Sequence, residues 1–182
     1  QISFFEMTVA MAFDYFSNER VDIAIIETGL GGRLDATNII DPILSVITNV
    51  GLDHQNFLGE NIREIAKEKA GIMKKGRPVV ISEYQPLIHD IFKVRSKELS
   101  STLYLAKDSV LKDYSSDLKG PFQKNNIIGV VKSISVLKGF VISDKNIEKG
   151  LLNVVKNTGL KGRWEIINES PKTILDVGHN IN

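Results

Sequence analysis

The chain contains no cysteine, and this absence removes several classes of protein from consideration. A disulfide-stapled domain, a cysteine metal site and a thiol nucleophile all need residues that the sequence lacks. No apolar run approaches the ~20 residues of a membrane-spanning helix. The net charge is only +1, so neither nucleic acid nor an acidic membrane surface is expected as a partner. The lack of cysteine also agrees with a protein of the reducing cytoplasm.

The composition is that of an ordinary soluble globular protein, with 42% hydrophobic and 25% charged residues among 182. Both ends of the sequence nevertheless fall inside predicted structure. The chain enters a helical pattern directly after Gln1, with no charged segment or cleavage site of a signal peptide. It ends on "TILDVGHNIN", a predicted strand followed by a turn. We therefore expect an internal fragment of a longer fold.

Apolar strands and amphipathic helices alternate along the sequence. Ser3 and Glu6 form the S-x-x-E pattern of a capping box, which predicts a helix at the start of the chain. The predicted strands are Val21–Glu27, Pro42–Val50, Arg77–Ser82, Ser101–Ala106, Gly162–Ile167 and Lys172–Val177, and the further predicted helices are Ile62–Met73, Pro86–Ser100, Lys124–Phe140 and Ser143–Val155. This alternation predicts an α/β fold, a mostly parallel sheet flanked by helices.

Polar clusters follow three of the predicted strands, where parallel sheets bind their ligands. The first is Glu27 with the glycine turn "GLGG", and the second is Asp53 with His54. The third is Asp176 with His179 and Asn180, which could also be a simple turn with self-bonding side chains. The sequence therefore predicts a ligand site at this edge of the sheet.

The glycine turn by itself has only a weak functional meaning. It fits neither G-x-G-x-x-G, because Leu34 occupies the third glycine position, nor the phosphate-binding G-x-x-x-x-G-K-[ST] pattern. Glu27 is more informative, because a carboxylate that continues an apolar strand needs a partner. That partner could be Arg33, in a salt bridge, or a metal ion.

His54 and Lys69 are further candidates for a metal site. His54 could cap a turn, or it could bind Mg²⁺ or Mn²⁺ together with Glu27. Lys67 lies among charges expected to face solvent, whereas Lys69 precedes the small pair Ala70-Gly71. A lysine near a cation can lose its proton or become a carbamate, but the sequence alone does not select this role for Lys69. His89, on a predicted helix, is interpreted as structural.

Five segments together resemble the folylpolyglutamate synthase/dihydrofolate synthase family of the Mur ligase superfamily. They are "FFE", "ETGLGGRLDATNII", "ITNVGLDHQNFLGENIREIAKEKAGIMKKGRPVV", "GRWEII" and "ILDVGHN", in this order along nearly the whole chain. The resemblance implies ATP-dependent amide formation: a folate or dihydropteroate carboxylate takes the γ-phosphoryl group of ATP, and the amine of L-glutamate then displaces phosphate.

The resemblance also implies roles for individual positions. Glu27 and His54 match magnesium ligands, and Lys69 matches a lysine that is carbamylated and helps to hold a metal. Two segments match the pterin pocket, namely Ser3, Phe4, Phe5 and Glu6, and Leu34, Asp35 and Ala36. ATP contacts are matched by Asn126, Arg163 and Asp176, with His179 in the same motif. We expect ATP, Mg²⁺ or Mn²⁺ and a carbamylated Lys69 as cofactors.

The resemblance divides the chain into residues 1–160, the later part of a central ATP-binding domain, and residues 161–182, the start of a C-terminal glutamate-ligase domain. The family's Gly-Lys-Ser loop does not occur in these residues. We therefore expect no ligase activity from this piece alone, and a monomeric full-length enzyme. The alternatives are a Mur-type peptidoglycan ligase and a non-catalytic α/β fragment.

Overall fold

The structure is a computed structural model that describes residues 2–109 and 112–178. Its helices are α1 Phe4–Glu19, α2 Gln55–Leu58, α3 Ile62–Ala70, α4 His89–Glu98, α5 Gln123–Val136, α6 Asp144–Leu151 and α7 Val154–Thr158. Its strands are β1 Ser45–Ile47, β2 Val79–Ile81, β3 Leu103–Leu105, β4 Glu165–Glu169 and β5 Lys172–Leu175, and two 3₁₀ helices cover Ala36–Ile39 and Ala106–Asp108. No helix in the described ranges has the length and apolarity needed to cross a bilayer.

Strands β1, β2 and β3 form a parallel sheet in this order. Helix α3 connects β1 to β2 and helix α4 connects β2 to β3, as parallel neighbours require. The predicted α/β fold with a parallel sheet is confirmed.

The core lies on both faces of the central strand β2. Val79 and Ile81 belong to a buried cluster with Ile65 of α3 and Phe92 of α4. Val80, which points to the opposite face, is fully buried, and helix α5 contacts β2. Burial of both faces explains why this strand is an unbroken apolar run.

The prediction of a strand at Val21–Glu27 is wrong for this structure. The segment has no strand pairing among the described residues. Its apolar side chains are not buried either, and Ile25 is 91% exposed. An apolar run only indicates a tendency to be buried, because a strand also requires a neighbour that accepts its hydrogen bonds.

The last two strands pair with each other and do not extend the parallel sheet. β4 and β5 are antiparallel, with Ile166 beside Ile174. Only Ser170 and Pro171 connect them, and so short a connection permits an antiparallel pair but no parallel crossover. They form a separate sheet, whereas the sequence predicted them as part of an alternating parallel arrangement.

Several predicted elements are shorter in the structure. The capping box is confirmed at α1, where the Ser3 hydroxyl accepts a hydrogen bond from the N–H of Glu6 and the Glu6 carboxylate accepts one from the N–H of Ser3. The helix predicted to run to Met73 ends at Ala70, and Gly71 caps it. The helix predicted to reach Phe140 ends at Val136, because Leu137 is already extended.

Candidate functional site

A cleft lies beyond the carboxyl end of β1. Of the three polar clusters singled out in the sequence, it contains Asp53 with His54 and part of the glycine turn. The loop after β1, the glycine turn and one face of α3 form its walls. The residues that line it are Thr28, Gly29, Leu30, Gly31, Asn49, Gly51, Asp53, His54, Leu58, Ile65 and Lys69. Three segments separated in sequence therefore meet at the place where a parallel sheet binds ligands.

His54 is held in an unusual backbone conformation at the mouth of this cleft. Its φ of 49° and ψ of 38° lie in the left-handed region, where His is more frequent than most non-glycine residues. Its Nε2 lies 3.8 Å from Oδ1 of Asp53, and its main-chain N–H donates a 2.7 Å hydrogen bond to the same oxygen. His54 is the N-cap of the short helix α2 but makes no side-chain capping bond, and its imidazole is half exposed.

Lys69 lines the same cleft as His54, whereas Lys67 is exposed. Partial burial lowers the pKa of the Lys69 amine below its usual value of 10.5, and the negative charge of Asp53 opposes this shift. The amine is therefore easier to deprotonate than that of a lysine in solvent. Lys67 is exposed, as expected from its charged neighbours. The chemical role of Lys69 stays a prediction.

The glycine turn packs closely on the end of α3. A Cβ on Gly32 would lie 2.7 Å from the carbonyl oxygen of Glu68, and one on Gly71 would lie 2.4 Å from Cα of Arg33. Arg33 also donates through its Nε to Glu68 at 3.0 Å. The suggested salt bridge between Glu27 and Arg33 is therefore wrong, since Arg33 pairs with Glu68.

Glu27 lies next to Thr28, the first residue of the cleft wall, and is exposed. It does not itself line the cleft in the described part of the chain. Its assignment as a metal ligand stays a prediction.

The start of α1 reaches the glycine turn through Phe5. The Phe5 ring fills the space beside Gly29, where a Cβ would lie 2.3 Å from Cζ. Helix α1 also contacts the 3₁₀ helix that begins at Ala36. The two segments predicted to form the substrate pocket are thus neighbours in the structure.

Within these segments some side chains are exposed, whereas others already make hydrogen bonds inside the protein. Phe4 is 82% and Leu34 is 79% exposed, so both have apolar surface free for a ligand. The carboxylate of Asp35 accepts hydrogen bonds from the N–H of Leu30, at 2.8 Å, and of Thr37, at 2.9 Å, and from the Thr37 hydroxyl. Asp35 therefore shapes the turn from within.

Asn126 lies on α5, which covers the carboxyl end of β2. Gly129 of this helix approaches Ser82 so closely that a Cβ would lie 2.1 Å from the Ser82 hydroxyl oxygen. The amide of Asn126 donates to Oε1 of Gln123 at 3.0 Å, and Asn126 is exposed. It does not line the cleft in the described part of the chain.

Arg163 and Asp176 lie together at the base of the β4–β5 pair. Hydrogen bonds from the main-chain N–H groups of Gly178 and Trp164 lower the pKa of the Asp176 carboxyl, and the charge of Arg163 adds to this effect. Within the described residues neither lines the cleft of Lys69. His179 and Asn180 lie outside the described residues.

The donor set in the cleft could hold a metal only with additional ligands. Asp53 and His54 supply one carboxylate and one imidazole, and Glu27 is close in sequence to the wall. No group of three His, Cys, Asp or Glu side chains able to hold a metal occurs among the described residues. Mg²⁺ often keeps water and phosphate oxygens beside one or two protein carboxylates, so the residues present are compatible with Mg²⁺ bound together with a nucleotide.

Sequence reasoning missed one polar residue of the cleft and one that supports the glycine turn. Asn49 lines it, and the rule applied to Asp53 and His54 could have found it, since it also follows β1. Asn38 donates to the carbonyls of Arg33 and Gly71, at 3.1 Å each, and so ties the glycine turn to the end of α3. No sequence pattern shows this long-range contact.

The chain matches known proteins over nearly its whole length. Residues 4–137 match the Mur ligase middle domain. The dihydrofolate synthase/folylpolyglutamate synthase of Bacillus subtilis is 34% identical over 203 aligned positions, covering 97% of this chain and 46% of that protein.

Solved structures agree with the sequence match. An FPGS–AMPPCP–folate complex is similar at a TM-score of 0.89, with 30% identity over 99% of this chain and 49% of that one. A folylpolyglutamate synthase from Thermotoga maritima is similar at a TM-score of 0.81, with 34% identity, and the match covers 98% of this chain and 45% of that one. The chain spans about half the length of these relatives. Both its sequence and its fold therefore show that the chain belongs to the Mur ligase family.

Proposed function

We propose that the chain carries part of the active site of an ATP-dependent ligase that joins L-glutamate to the carboxylate of folate or dihydropteroate. The observation that supports this most is the convergence of Lys69, the Asp53–His54 loop and the glycine turn on one cleft. The similarity to a complex with an ATP analogue and folate supports the choice of substrates. We place the ligase in the cytoplasm, as a monomer.

In the proposed reaction a substrate carboxylate oxygen attacks the γ-phosphorus of ATP, and ADP leaves. The neutral amine of glutamate then attacks the acyl carbon, phosphate leaves with the C–O bond electrons, and the nitrogen gives up one proton, which the departing phosphate takes. A divalent cation, when bound, would screen the repulsion between the two anionic reactants. His54 and Glu27 would hold Mg²⁺ or Mn²⁺, while Asn126, Arg163, Asp176 and His179 would contact ATP.

Lys69 has a second proposed role as a carbamate. The neutral amine of Lys69 attacks CO₂, an N–C bond forms while one C–O π bond opens, and the nitrogen then loses one proton to water, which leaves a carbamate anion on the side chain. Partial burial favours the neutral amine, whereas Asp53 favours the charged one. The carbamate oxygens would supply the ligand that the described donor set lacks.

The exposed surfaces of Phe4 and Leu34 suit an aromatic pterin, and we propose that they bind it with Ser3, Phe5, Glu6, Asp35 and Ala36. We propose a domain boundary near residue 160, because β4 and β5 form a separate sheet after it. With no G-x-x-x-x-G-K-[ST] pattern in the sequence, we expect the chain alone to release no phosphate.

The test uses a full-length ligase that contains this chain. Phosphate release is measured with ATP, Mg²⁺, L-glutamate and dihydropteroate, and His54→Ala and Lys69→Ala are each expected to lower the rate by at least ~10²-fold. Lys67→Ala is the matched control and should keep the wild-type rate. A wild-type enzyme that needs a uridine nucleotide in place of dihydropteroate would contradict the proposed substrate. Intact mass with and without bicarbonate tests the carbamate.

A further inference from the structure

The loops after β1 and β2 remain paired beyond the ends of these strands. The N–H of Ser82 donates to the carbonyl of Ile47 at 2.9 Å, and the N–H of Glu83 donates to the carbonyl of Thr48 at 3.0 Å. The main-chain pairing therefore continues to the residue before Asn49, at the edge of the cleft.

Two residues further along, at Val50, a side chain replaces the neighbouring backbone as hydrogen-bond partner. The amide of Gln85 accepts a 2.9 Å hydrogen bond from the N–H of Val50 through Oε1, and its Nε2 donates a 2.8 Å hydrogen bond to the carbonyl of Val50. Val50 is only 3% exposed, so both of its main-chain groups depend on this amide rather than on water. Gln85 thus acts like a strand neighbour of Val50.

Gln85 is itself held firmly by the start of α4. Its main-chain carbonyl accepts hydrogen bonds from the N–H groups of Ile88, at 3.2 Å, and His89, at 3.0 Å. The two hydrogen bonds of the Gln85 amide to Val50, which we call the clamp on Val50, therefore connect the first turn of a core helix to the loop beside the cleft.

The segment that follows Val50 needs support of this kind. It contains Gly51, Asp53 and His54, all of which line the cleft, and His54 has the uncommon φ of 49°. On its C-terminal side the loop is held by the N–H groups of Phe57 and Leu58, which both donate to the carbonyl of His54. On its N-terminal side the loop is held by the two hydrogen bonds between the Gln85 amide and the main chain of Val50. Uncommon backbone conformations persist where the surroundings fix them on both sides.

We propose that Gln85 is a positioning residue, which sets the conformation of residues 51–54 and so directs His54 into the cleft. The catalytic consequence of this inference rests on the proposed function, whereas the effect of Gln85 on the conformation of residues 51–54 does not. Gln85 does not line the cleft in the described part of the chain, so it would act through Val50 and not on the substrate.

The variant Gln85→Met tests this, because it keeps the side-chain length and removes both hydrogen bonds. The exchange of the amide hydrogens of residues 50–54, followed by mass spectrometry, should become faster by about tenfold or more. In a full-length ligase the Mg²⁺ concentration for half-maximal rate should rise by about tenfold, with an unchanged KM for L-glutamate. If Gln85 only stabilised the fold, its substitution would lower the melting temperature without changing the Mg²⁺ dependence separately from the KM for L-glutamate.

Ser101→Ala is the matched control. Its hydroxyl donates a 2.8 Å hydrogen bond to the carbonyl of Lys74, a partly buried side-chain-to-backbone bond near the start of β3. In the described part of the chain neither Ser101 nor Lys74 lines the cleft. This variant should lower stability but leave exchange at residues 50–54 and the Mg²⁺ dependence unchanged.

The possible outcomes separate the two proposals. Unchanged exchange at residues 50–54 in Gln85→Met overturns the inference, and so does an active variant ligase with wild-type Mg²⁺ dependence. Faster exchange in a chain whose full-length wild type makes no folate product would leave the positioning of the loop supported and overturn only the proposed function.

Discussion

The main-chain N–H of Arg33 donates a 2.9 Å hydrogen bond to the carbonyl of Glu68, one residue before Lys69. Beside this bond the glycine turn and the end of α3 approach so closely that neither Gly32 nor Gly71 has space for a Cβ. The position of Lys69 relative to the turn is therefore fixed by main-chain contact and not by the charges of Arg33 and Glu68 alone.

Gly71→Ala should destabilise the chain by ~1–3 kcal/mol, because the new methyl group would lie 2.4 Å from both Cα and Cβ of Arg33. The φ of −63° at Gly71 is ordinary for alanine, so the effect would come from the contact and not from backbone strain. Urea unfolding of the purified chain measures it. Gly150→Ala is the control, since nothing lies within 4 Å of its Cβ position inside α6, and it should stabilise by ~0.5–1 kcal/mol. Equal effects of the two substitutions would contradict the close contact.

Lys69→Met should stabilise the chain at neutral pH. The pKa of Lys69 is lower in the folded state than its usual 10.5. At a pH between the folded-state pKa and 10.5, the unfolded state therefore binds more protons than the folded state. Wild-type stability therefore rises with pH in this window, and below it the full cost of burying a charged amine remains. The advantage of Lys69→Met should shrink as the pH approaches 10.5. Urea unfolding at several pH values checks this, and a constant difference would refute it.

Asp35→Ala should loosen the glycine turn, because three donors on Leu30 and Thr37 lose their acceptor. As Asp35 is the N-cap of the 3₁₀ helix Ala36–Ile39, the expected loss is ~0.5–2 kcal/mol, measured by thermal unfolding. Amide exchange at Leu30 should become faster at the same time. Asp41→Ala, which removes an exposed partner of Arg77, should cost less and leave Leu30 unaffected. The prediction does not survive if both variants change exchange at Leu30 alike.

Acid should weaken the hydrogen bonds that Asp176 accepts at the base of the β4–β5 pair only below the usual carboxyl pKa of 3.8. The pKa of Asp176 is lowered in the folded state, so the stabilisation by its bonds to Gly178 and Trp164 is present above 3.8 and is lost as the pH falls through the lower folded value. Trp164 is the only tryptophan of the chain, and its fluorescence reports this change. Asp176→Asn should give the acid-form emission already at neutral pH, whereas Asp14→Asn, in α1, should behave as wild type. A wild-type transition above pH 3.8 would speak against these bonds.

The elements with local signals were predicted well from the sequence. Ser3 and Glu6 are three residues apart, and their capping box is present as predicted. Strand β2 was visible because both of its faces are buried, and the loop with Asp53 and His54 was placed correctly at the edge of the sheet.

Features that depend on distant partners were not predictable in this way. Val21–Glu27 has the composition of a strand but no neighbour in the described chain. The charge on Arg33 could equally have paired with Glu27, and only the approach of α3 selects Glu68. The clamp of Gln85 on Val50 joins residues 35 positions apart, for which no periodic pattern exists.

The bond between Arg33 and Glu68 also has a consequence for the order of folding. These residues are 35 positions apart, so a long loop must close before they meet, whereas α3 needs only contacts within one turn. We therefore expect α3 to form early and the wall of the cleft to close late, and the same wall to open first in local unfolding. A ligand that binds the closed cleft would then slow this opening and protect the chain from proteolysis at the glycine turn.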